Sequence, residues 1–139
     1  MKCEFCLIAT HQAEAEIVYE DAENIAFFPL RPATLGHTLV IPKNHARDVF
    51  DISKEAYDSL FSSVRLMTQA LNQALHPAGL NIINSTGHLA TQSIFHIHVH
   101  LVPRWPDDRM GPIWPQEEGL PDPDTEELAR TIRAATANS

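Results

Sequence analysis

The sequence has few basic residues and no long apolar segment. Lysine and arginine number ten against eighteen aspartates and glutamates in 139 residues, which gives a formal net charge of −8. A chain this acidic is a poor candidate for binding DNA, RNA or an anionic membrane surface. No eighteen apolar residues run together, which excludes a membrane-spanning helix, and the first six residues lack the apolar stretch of a signal peptide. We therefore expect a cytoplasmic protein that binds neither nucleic acid nor membrane.

Cysteine is also scarce, and both copies stand in one Cys-x-x-Cys motif, Cys3 and Cys6. Such a pair serves redox chemistry, binds a metal or closes a strained disulfide. A redox pair of the thioredoxin type follows a strand and begins a helix, whereas only Met1-Lys2 precedes this motif. Metal binding and two incidental thiols remain, and zinc would need about two further ligands.

The composition is that of one folded domain. Hydrophobic residues make up 44% of the chain and charged residues 20%, so the chain can bury a core. Short apolar runs predict strands over residues 16–20, 24–28, 37–41, 80–84 and 95–102, the third stopped by Pro42. Apolar residues at steps of three or four predict one long helix that begins after Ser53 and ends at 76–79. These elements predict an α+β fold with an antiparallel sheet.

The composition changes after residue 104. Proline recurs at 103, 106, 112, 115, 121 and 123, which predicts little regular structure. Asp124 with Glu127 three residues later is a capping box, so a short final helix should follow. We therefore expect a core over residues 1–104 and, packed on the same domain, a proline-rich arm with its helix over 105–139. Trp105 and Trp114 of the arm should pack onto the sheet, and the alternative is that they reach the cleft of a partner and stack on a base.

The most informative segment carries three histidines at every second position, His96, His98 and His100. In a strand, alternate side chains share a face and stand roughly 7 Å apart, so the three imidazoles should lie together. The opposite, core-facing side of this strand would carry Phe95, Ile97, Val99 and Leu101. Histidines in this pattern either bind a catalytic metal or include one nucleophile whose neighbours position groups and move protons.

The residues around this strand favour the nucleophile. No aspartate or glutamate occurs from residue 80 to 104, although a zinc-hydroxide enzyme commonly uses a carboxylate as its base. Gln92 and Ser93, by contrast, are neutral donors suited to a phosphate or a leaving oxygen. A neutral imidazole also avoids the repulsion that a carboxylate would meet from an anionic substrate.

Taken together, these motifs resemble the histidine triad (HIT) family. The triad is preceded by Gln92-Ser93, the segment from Gly36-His37 to Pro42-Lys43-x-His45 matches upstream, and Cys3-x-x-Cys6 is the opening of the family's bacterial branch. The resemblance implies an α+β fold and a homodimer with joined sheets. It also implies a nucleotidyl hydrolase or transferase that cleaves at the α-phosphate of a nucleoside phosphoramidate or a dinucleoside polyphosphate.

The same resemblance assigns roles to individual residues. His98 would be the nucleophile and form a covalent nucleotidyl-histidine that water hydrolyses. His100 would contact the phosphate, and His37 would buttress His100. The residues expected to bind substrate are Asn84, Ser85, Gln92 and Ser93.

The resemblance also implies a structural zinc ion. Its ligands would be Cys3, Cys6, His45 and His96, which tie the N-terminal segment to the sheet. This leaves His98 and His100 for chemistry. The alternative, a zinc-dependent hydrolase with all three triad histidines on one catalytic metal, leaves the cysteines and His45 unexplained.

Three positions depart from the family's usual pattern. Pro29 stands where the family commonly has an Asp or Asn that holds the ribose hydroxyls, and proline has neither a side-chain acceptor nor a backbone donor. Ser85 stands where Asn is frequent, and Thr91 replaces the usual Gly before Gln92. These departures motivate a second hypothesis, a nucleotide-binding or interaction protein with weak or vestigial activity.

Overall fold

The computed structural model describes residues 3–117, residue 119 and residues 124–138. Within these residues one antiparallel sheet has the strand order β1-β2-β3-β5-β4. The strands are β1 Ile17–Glu20, β2 Asn24–Phe27, β3 Thr38–Pro42, β4 Gly79–Ile83 and β5 Val99–Arg104. The α-helices of the described residues are α1 Glu4–Ala9, α2 Lys54–Leu75 and α3 Thr125–Ala137. The predicted α+β fold with an antiparallel sheet is confirmed.

The long helix α2 covers one face of the sheet. Its predicted N-cap is confirmed, because the Ser53 side chain accepts a hydrogen bond from the backbone N–H of Ala56. The helix ends at His76, which adopts the left-handed conformation with φ 49°. The predicted apolar stripe is buried at Leu60, Val64, Met67 and Leu71.

Apolar clusters pack on both faces of the sheet. The α2 side chains contact Ala26, Val40, Ile97, Val99 and Leu101 on one face. On the other face, the short helix α1 packs its residues Phe5, Ile8 and Ala9 against Ile25, Phe27, Leu39 and Ile41. The histidine segment therefore lies between two packed layers.

The structure corrects the bounds of the histidine strand. β5 begins at Val99 rather than at residue 95, because the backbone N–H of Ile97 donates to the carbonyl of Ala46 (2.7 Å) in the segment before α2. Phe95 was predicted to face the core, but 44% of it is exposed. β3 was predicted to end before Pro42, but Pro42 is its last residue and pairs with Asn24 of β2. The pairing of β3 with β5 ends earlier, at Val40.

Helix α1 is an element that the sequence analysis did not predict. Cys3 is its N-cap, and the Cys3 sulfur accepts from the backbone N–H of Cys6. Cysteine is not among the usual capping residues, so no capping signal precedes this helix. The two thiols of the motif thus lie at the N-cap of α1 and in its first turn.

At the other end of the chain, the capping box is confirmed, since Asp124 accepts from the backbone N–H of Glu127 (3.1 Å). No described residue of α3 is buried. The Trp105 indole donates to the carbonyl of Leu35, whereas Trp114 is 81% exposed and does not pack as predicted. Prolines 121 and 123 lie outside the described residues, and the division at residue 104 stays a prediction. Among the described helices, none has the length and apolarity needed to span a membrane.

The core packing predicts the effect of truncating Leu60, which is fully buried under the sheet. Leu60→Ala should lower the free energy of unfolding by ~2–5 kcal/mol, because it removes apolar contacts and leaves a cavity. Urea denaturation measures this change. Leu66→Ala on the same helix is the control, since Leu66 is 47% exposed and its truncation should cost less than ~1 kcal/mol. Equal losses in the two variants would contradict the packing described.

Candidate active site

The proton of the His98 imidazole is fixed by one hydrogen bond. Its Nδ1 lies 2.8 Å from the backbone carbonyl of His96, and a carbonyl can only accept, so Nδ1 carries the proton. The other ring nitrogen, Nε2, therefore keeps a free lone pair. Burial lowers the pKa of His98, although the bond to the His96 carbonyl opposes the shift, so the ring is neutral near pH 7. A neutral imidazole with a bare nitrogen is the form required of a nucleophile.

The next two histidines form a chain of hydrogen bonds. The backbone N–H of Ala33 donates to Nδ1 of His37 (2.9 Å), which leaves the proton of that ring on Nε2. His37 Nε2 then donates to His100 Nδ1 (3.0 Å), so the His100 proton is on its own Nε2. Burial lowers the pKa of His37, and burial with the neighbouring imidazoles lowers that of His100 to about 4. Both rings are thus neutral, and His100 has one N–H to offer.

A glycine turn brings His37 to this position. Gly36 adopts φ +86°, and a Cβ built on it would lie 2.5 Å from Leu75 Cδ1. A larger residue there is both strained and obstructed. The turn leads directly into β3, where Leu39 pairs with His100 of β5. Strand pairing and the turn together place His37 beside His100.

His96, the first histidine of the triad, points to a different site. Its Nε2 donates to the carbonyl of Pro42 (2.8 Å), which leaves Nδ1 without a proton. This Nδ1 lies 3.4 Å from the sulfur of Cys3, 3.4 Å from that of Cys6 and 3.2 Å from Nδ1 of His45. The four ligand atoms all lie within 4.8 Å of one another. This set has the chemistry of a metal centre.

The donor set fits zinc in its spacing and its charge. Nitrogen and sulfur ligands at about 2.0–2.3 Å from a tetrahedral ion stand about 3.3–3.8 Å apart, close to the observed separations. Burial, together with the neighbouring Cys3, raises the pKa of Cys6 to about 11. The Cys6 thiol therefore resists ionisation unless a cation compensates the charge. The bond from His96 to a carbonyl is also the usual outer support of a ligating imidazole.

The triad is thus divided between two sites. His96 joins the cysteine cluster, while His98 and His100 lie next to each other with ring centroids 5.0 Å apart. The Nδ1 atoms of His98 and His100 already bond a carbonyl and another imidazole. This arrangement differs from a single metal held by all three rings.

Gln92, predicted to bind substrate, is 2% exposed. Its amide donates to the carbonyls of Arg47 (2.9 Å) and Ile94 (3.1 Å), and its oxygen accepts from the N–H of Gly87 (2.8 Å). Both amide hydrogens are therefore engaged in holding the loop before the histidine segment. Thr91, which precedes it, has φ +74°, a conformation that a β-branched residue rarely adopts.

The other residues predicted to bind substrate lie near the histidine segment in the chain. The Asn84 amide donates to the backbone carbonyl of His98 (3.0 Å), so it braces the backbone at His98. Ser85 is half-buried and Ser93 is exposed. Of the four, Ser93 presents the most accessible side-chain donor. Their contacts with substrate stay predictions.

A mostly apolar cavity of about 390 Å³ lies beside His37. Pro29 is in its wall, with Phe28, Pro32, Leu35 and Leu75. Among the described residues, the buried Thr34 hydroxyl in the same wall has no hydrogen-bond partner. Apart from this threonine and His37, the described part of the lining offers no polar side chain.

Two parts of the site were not found by sequence reasoning. The Ala33 amide acts through its backbone, which no side-chain pattern reveals. Phe5 lies with its ring centroid 5.2 Å from that of His98, and its position depends on helix α1, which was not predicted. The sequence signal for Phe5 was its position between Cys3 and Cys6, because the resemblance to the family already linked these cysteines to His96.

Comparison with known proteins gives relatives over most of the chain. A family model described as the HIT domain matches residues 10–107. The Bacillus subtilis protein named "Protein hit" is 38% identical over 113 residues, which span 81% of this chain and 78% of that protein. An adenosine 5'-monophosphoramidase of Schizosaccharomyces pombe is 31% identical over 125 residues, spanning 84% of this chain and 90% of that protein.

Solved structures give the same result. A HIT family member from Bacillus subtilis is similar with a TM-score of 0.86 and 34% identity, over 99% of this chain and 96% of the other. A Zn-bound histidine triad family protein from Mycobacterium smegmatis is similar with a TM-score of 0.74 and 38% identity, over 99% and 95%. Its metal is a property of that protein, whereas the fold is shared with this chain. The matched domain covers well over half of the sequence, and the chain belongs to the HIT family.

Proposed function

We propose that this protein is a nucleotidyl hydrolase or transferase that acts through a covalent nucleotidyl-histidine at His98. The observation that carries the proposal is the hydrogen bond from His98 Nδ1 to the His96 carbonyl, which leaves Nε2 unprotonated. The substrate would be a nucleoside phosphoramidate or a dinucleoside polyphosphate. The phosphoramidase name of the fission yeast relative supports the first of these.

The reaction follows from the protonation states of the two histidines. His98 Nε2 attacks the α-phosphorus, so a nitrogen–phosphorus bond forms while the bond to the leaving amine or phosphate breaks, and a leaving amine takes up a proton from solvent. The His98 ring gains positive charge, which its Nδ1–H bond to the His96 carbonyl stabilises. Water then attacks phosphorus, displaces the neutral imidazole, releases a proton to solvent and yields the nucleoside monophosphate.

His100 and His37 would stabilise the charge that develops on the phosphoryl group. The free N–H of His100 is the donor that this pair offers to a phosphoryl oxygen. His37 keeps that proton on Nε2 of His100, because its own Nε2–H donates to Nδ1 of His100. The Ala33 amide in turn orients His37. Ser93 is the exposed hydroxyl available for the phosphate or the leaving group.

The proposal includes a structural zinc ion bound by Cys3, Cys6, His45 and His96. When bound, the ion supplies a cation that stabilises the cysteine thiolates and closes the N-terminal segment onto the sheet. All four ligands come from the chain, so the site has no open position for substrate. The Zn-bound relative from Mycobacterium smegmatis supports this assignment.

A homodimer is also part of the proposal. β4 is an edge strand of the sheet, and its Ile82 is 52% exposed. An uncovered edge with an apolar side chain suits pairing with a second copy. The predicted cytoplasmic location stands beside it as an expectation.

A second candidate function is nucleotide binding with weak turnover. Two observations favour it, the apolar cavity wall that contains Pro29 and the full engagement of the Gln92 amide. Both reduce the number of polar groups available to hold a substrate. Tight nucleotide binding without product at high protein concentration would support this alternative.

The first prediction concerns the nucleophile. Wild-type protein mixed with adenosine phosphoramidate or diadenosine tetraphosphate in a single turnover, then quenched in base, should carry a nucleotidyl group on the peptide that contains His98. His98→Asn should form no adduct and lose at least about a thousand-fold in turnover. Asparagine keeps an N–H for the His96 carbonyl, so folding should be preserved. Intact mass and peptide mapping provide the measurement.

His76→Asn is the matched control for this experiment. His76 is exposed and ends α2 in the left-handed conformation, which asparagine adopts readily. This variant should form the adduct at the wild-type rate. Undiminished turnover in His98→Asn would refute the proposed reaction.

The second prediction concerns the metal. The wild-type protein should contain about one zinc per chain, whereas Cys6→Ser should contain far less and melt more than about 10 °C lower. Elemental analysis and thermal unfolding measure the two quantities. His11→Ser, at an exposed histidine outside the cluster, should keep its zinc. A metal-free wild type, or a Cys6→Ser variant with wild-type zinc, would contradict the assignment.

The third prediction concerns acid stability. An unfolded chain protonates histidine at its ordinary pKa of 6.5, whereas burial delays protonation of His100 in the folded protein to about pH 4. The free energy of unfolding should therefore fall as the pH decreases from 6.5 to about 4. Replacing His100 by Asn should make the loss between pH 7 and pH 4.5 smaller by ~2 kcal/mol. Urea denaturation at both pH values tests this, and equal losses in the two proteins would contradict it.

A further inference from the structure

Helix α1 carries an aromatic side chain between its two thiols and directs it at the nucleophile. Phe5 lies between Cys3 and Cys6 and is 4% exposed. Its ring centroid is 5.2 Å from that of His98, with an interplanar angle of 86°. The same ring lies 6.0 Å from His96 at 75°. One side chain thus contacts both the metal-binding histidine and the nucleophilic one.

The His98 ring needs more than its hydrogen bond to be held still. The bond to the His96 carbonyl fixes the direction of Nδ1 but permits the ring to rock about it. Phe5 contacts the ring edge-on, and His100 contacts it with centroids 5.0 Å apart and an angle of 66°. The two aromatic neighbours therefore restrict the rocking that the single hydrogen bond leaves.

Phe5 is itself firmly held. Its ring makes an edge contact with that of Phe27, with centroids 5.4 Å apart, inside the cluster under α1. The helix has six residues, and isolated helices of this length are not stable in water. Its position must come from packing and from the cysteines, which face His45 and His96 across the cluster. The location of Phe5 therefore depends on closure of that cluster.

We infer that Phe5 is a positioning residue for His98, through which the N-terminal cysteine cluster keeps the nucleophilic nitrogen aligned. The inference rests on the proposed function and adds a residue to it. Phe5 makes no bond in the reaction. It limits the orientations of the imidazole so that Nε2 faces the phosphorus of a bound substrate.

The test is Phe5→Leu, which keeps the buried position apolar and removes the flat ring. Turnover number should fall about 10- to 100-fold with KM changed less than about threefold, because misorientation of the attacking atom affects the chemical step. Zinc content should stay at the wild-type level. Nitrogen-15 spectra of the histidine rings should give a sharp Nδ1–H signal for His98 in wild type and a broadened one in Phe5→Leu, because the ring then rocks more about its bond to the His96 carbonyl. The signals of His37 should not change.

Phe27→Leu is the matched control. Phe27 is 2% exposed in the same cluster, and its truncation removes the same atoms from the same face of the sheet. Urea denaturation should show similar losses of stability in the two variants. The His98 Nδ1–H signal in Phe27→Leu should nevertheless stay sharp, because a leucine at position 27 still packs in the cluster, and α1 and the cysteines still hold the Phe5 ring in place.

Three results would overturn the inference. They are a wild-type turnover number and His98 spectrum in Phe5→Leu, the same loss of His98 order in Phe27→Leu, and loss of zinc in Phe5→Leu, since the effect would then come from the metal. Absence of any nucleotidyl adduct in the wild type would instead refute the proposed function. The ring spectra still test the positioning of His98 in that case.

Discussion

Burial of neutral imidazoles is the constraint on which this site depends. Because burial lowers the pKa of these rings, each carries one proton rather than two near pH 7. Each partner in the fold therefore decides which nitrogen is bare. Backbone carbonyls accept from Nε2 of His96 and from Nδ1 of His98, so those nitrogens carry the protons. At His100 the proton position follows from a chain of hydrogen bonds, in which the Ala33 amide donates to His37 and His37 donates to His100. Hydrogen bonds to the backbone thus determine which nitrogen of each imidazole carries its proton.

His96 joins the metal cluster to the active site. Its imidazole faces the cysteines, its Nε2 donates to the Pro42 carbonyl, and its backbone carbonyl accepts a hydrogen bond from Nδ1 of His98. A shift of this residue would thus disturb the proposed metal ligand set and the proposed nucleophile together. The fold prevents such a shift from several directions, since the following residue, Ile97, is tied by its N–H to the carbonyl of Ala46.

Sequence reasoning found the elements and side chains that obey a regular pattern. The α2 stripe, the Ser53 and Asp124 caps and the antiparallel sheet follow from periodicity and capping chemistry, and they were confirmed. It missed features that depend on atoms far away in the sequence. The start of β5 was misplaced because Ile97 bonds a loop rather than a strand, and α1 was missed because its position comes from packing and from histidines far along the chain. The cysteine cluster was nevertheless predicted, because the resemblance to the family implies a contact between distant residues that local patterns cannot show.

The span of the cysteine cluster along the chain bears on the order of assembly during synthesis. Cys6 and His96 are 90 positions apart, and a ribosome adding about 5–20 residues per second needs about 5–20 s to make the intervening chain. During that time α1 lacks its distant ligand, although β2 and β3, on which it packs, are made earlier. The cysteines of α1 then take their final place only after His96 has been made, so the cysteine cluster cannot close before the histidine segment exists.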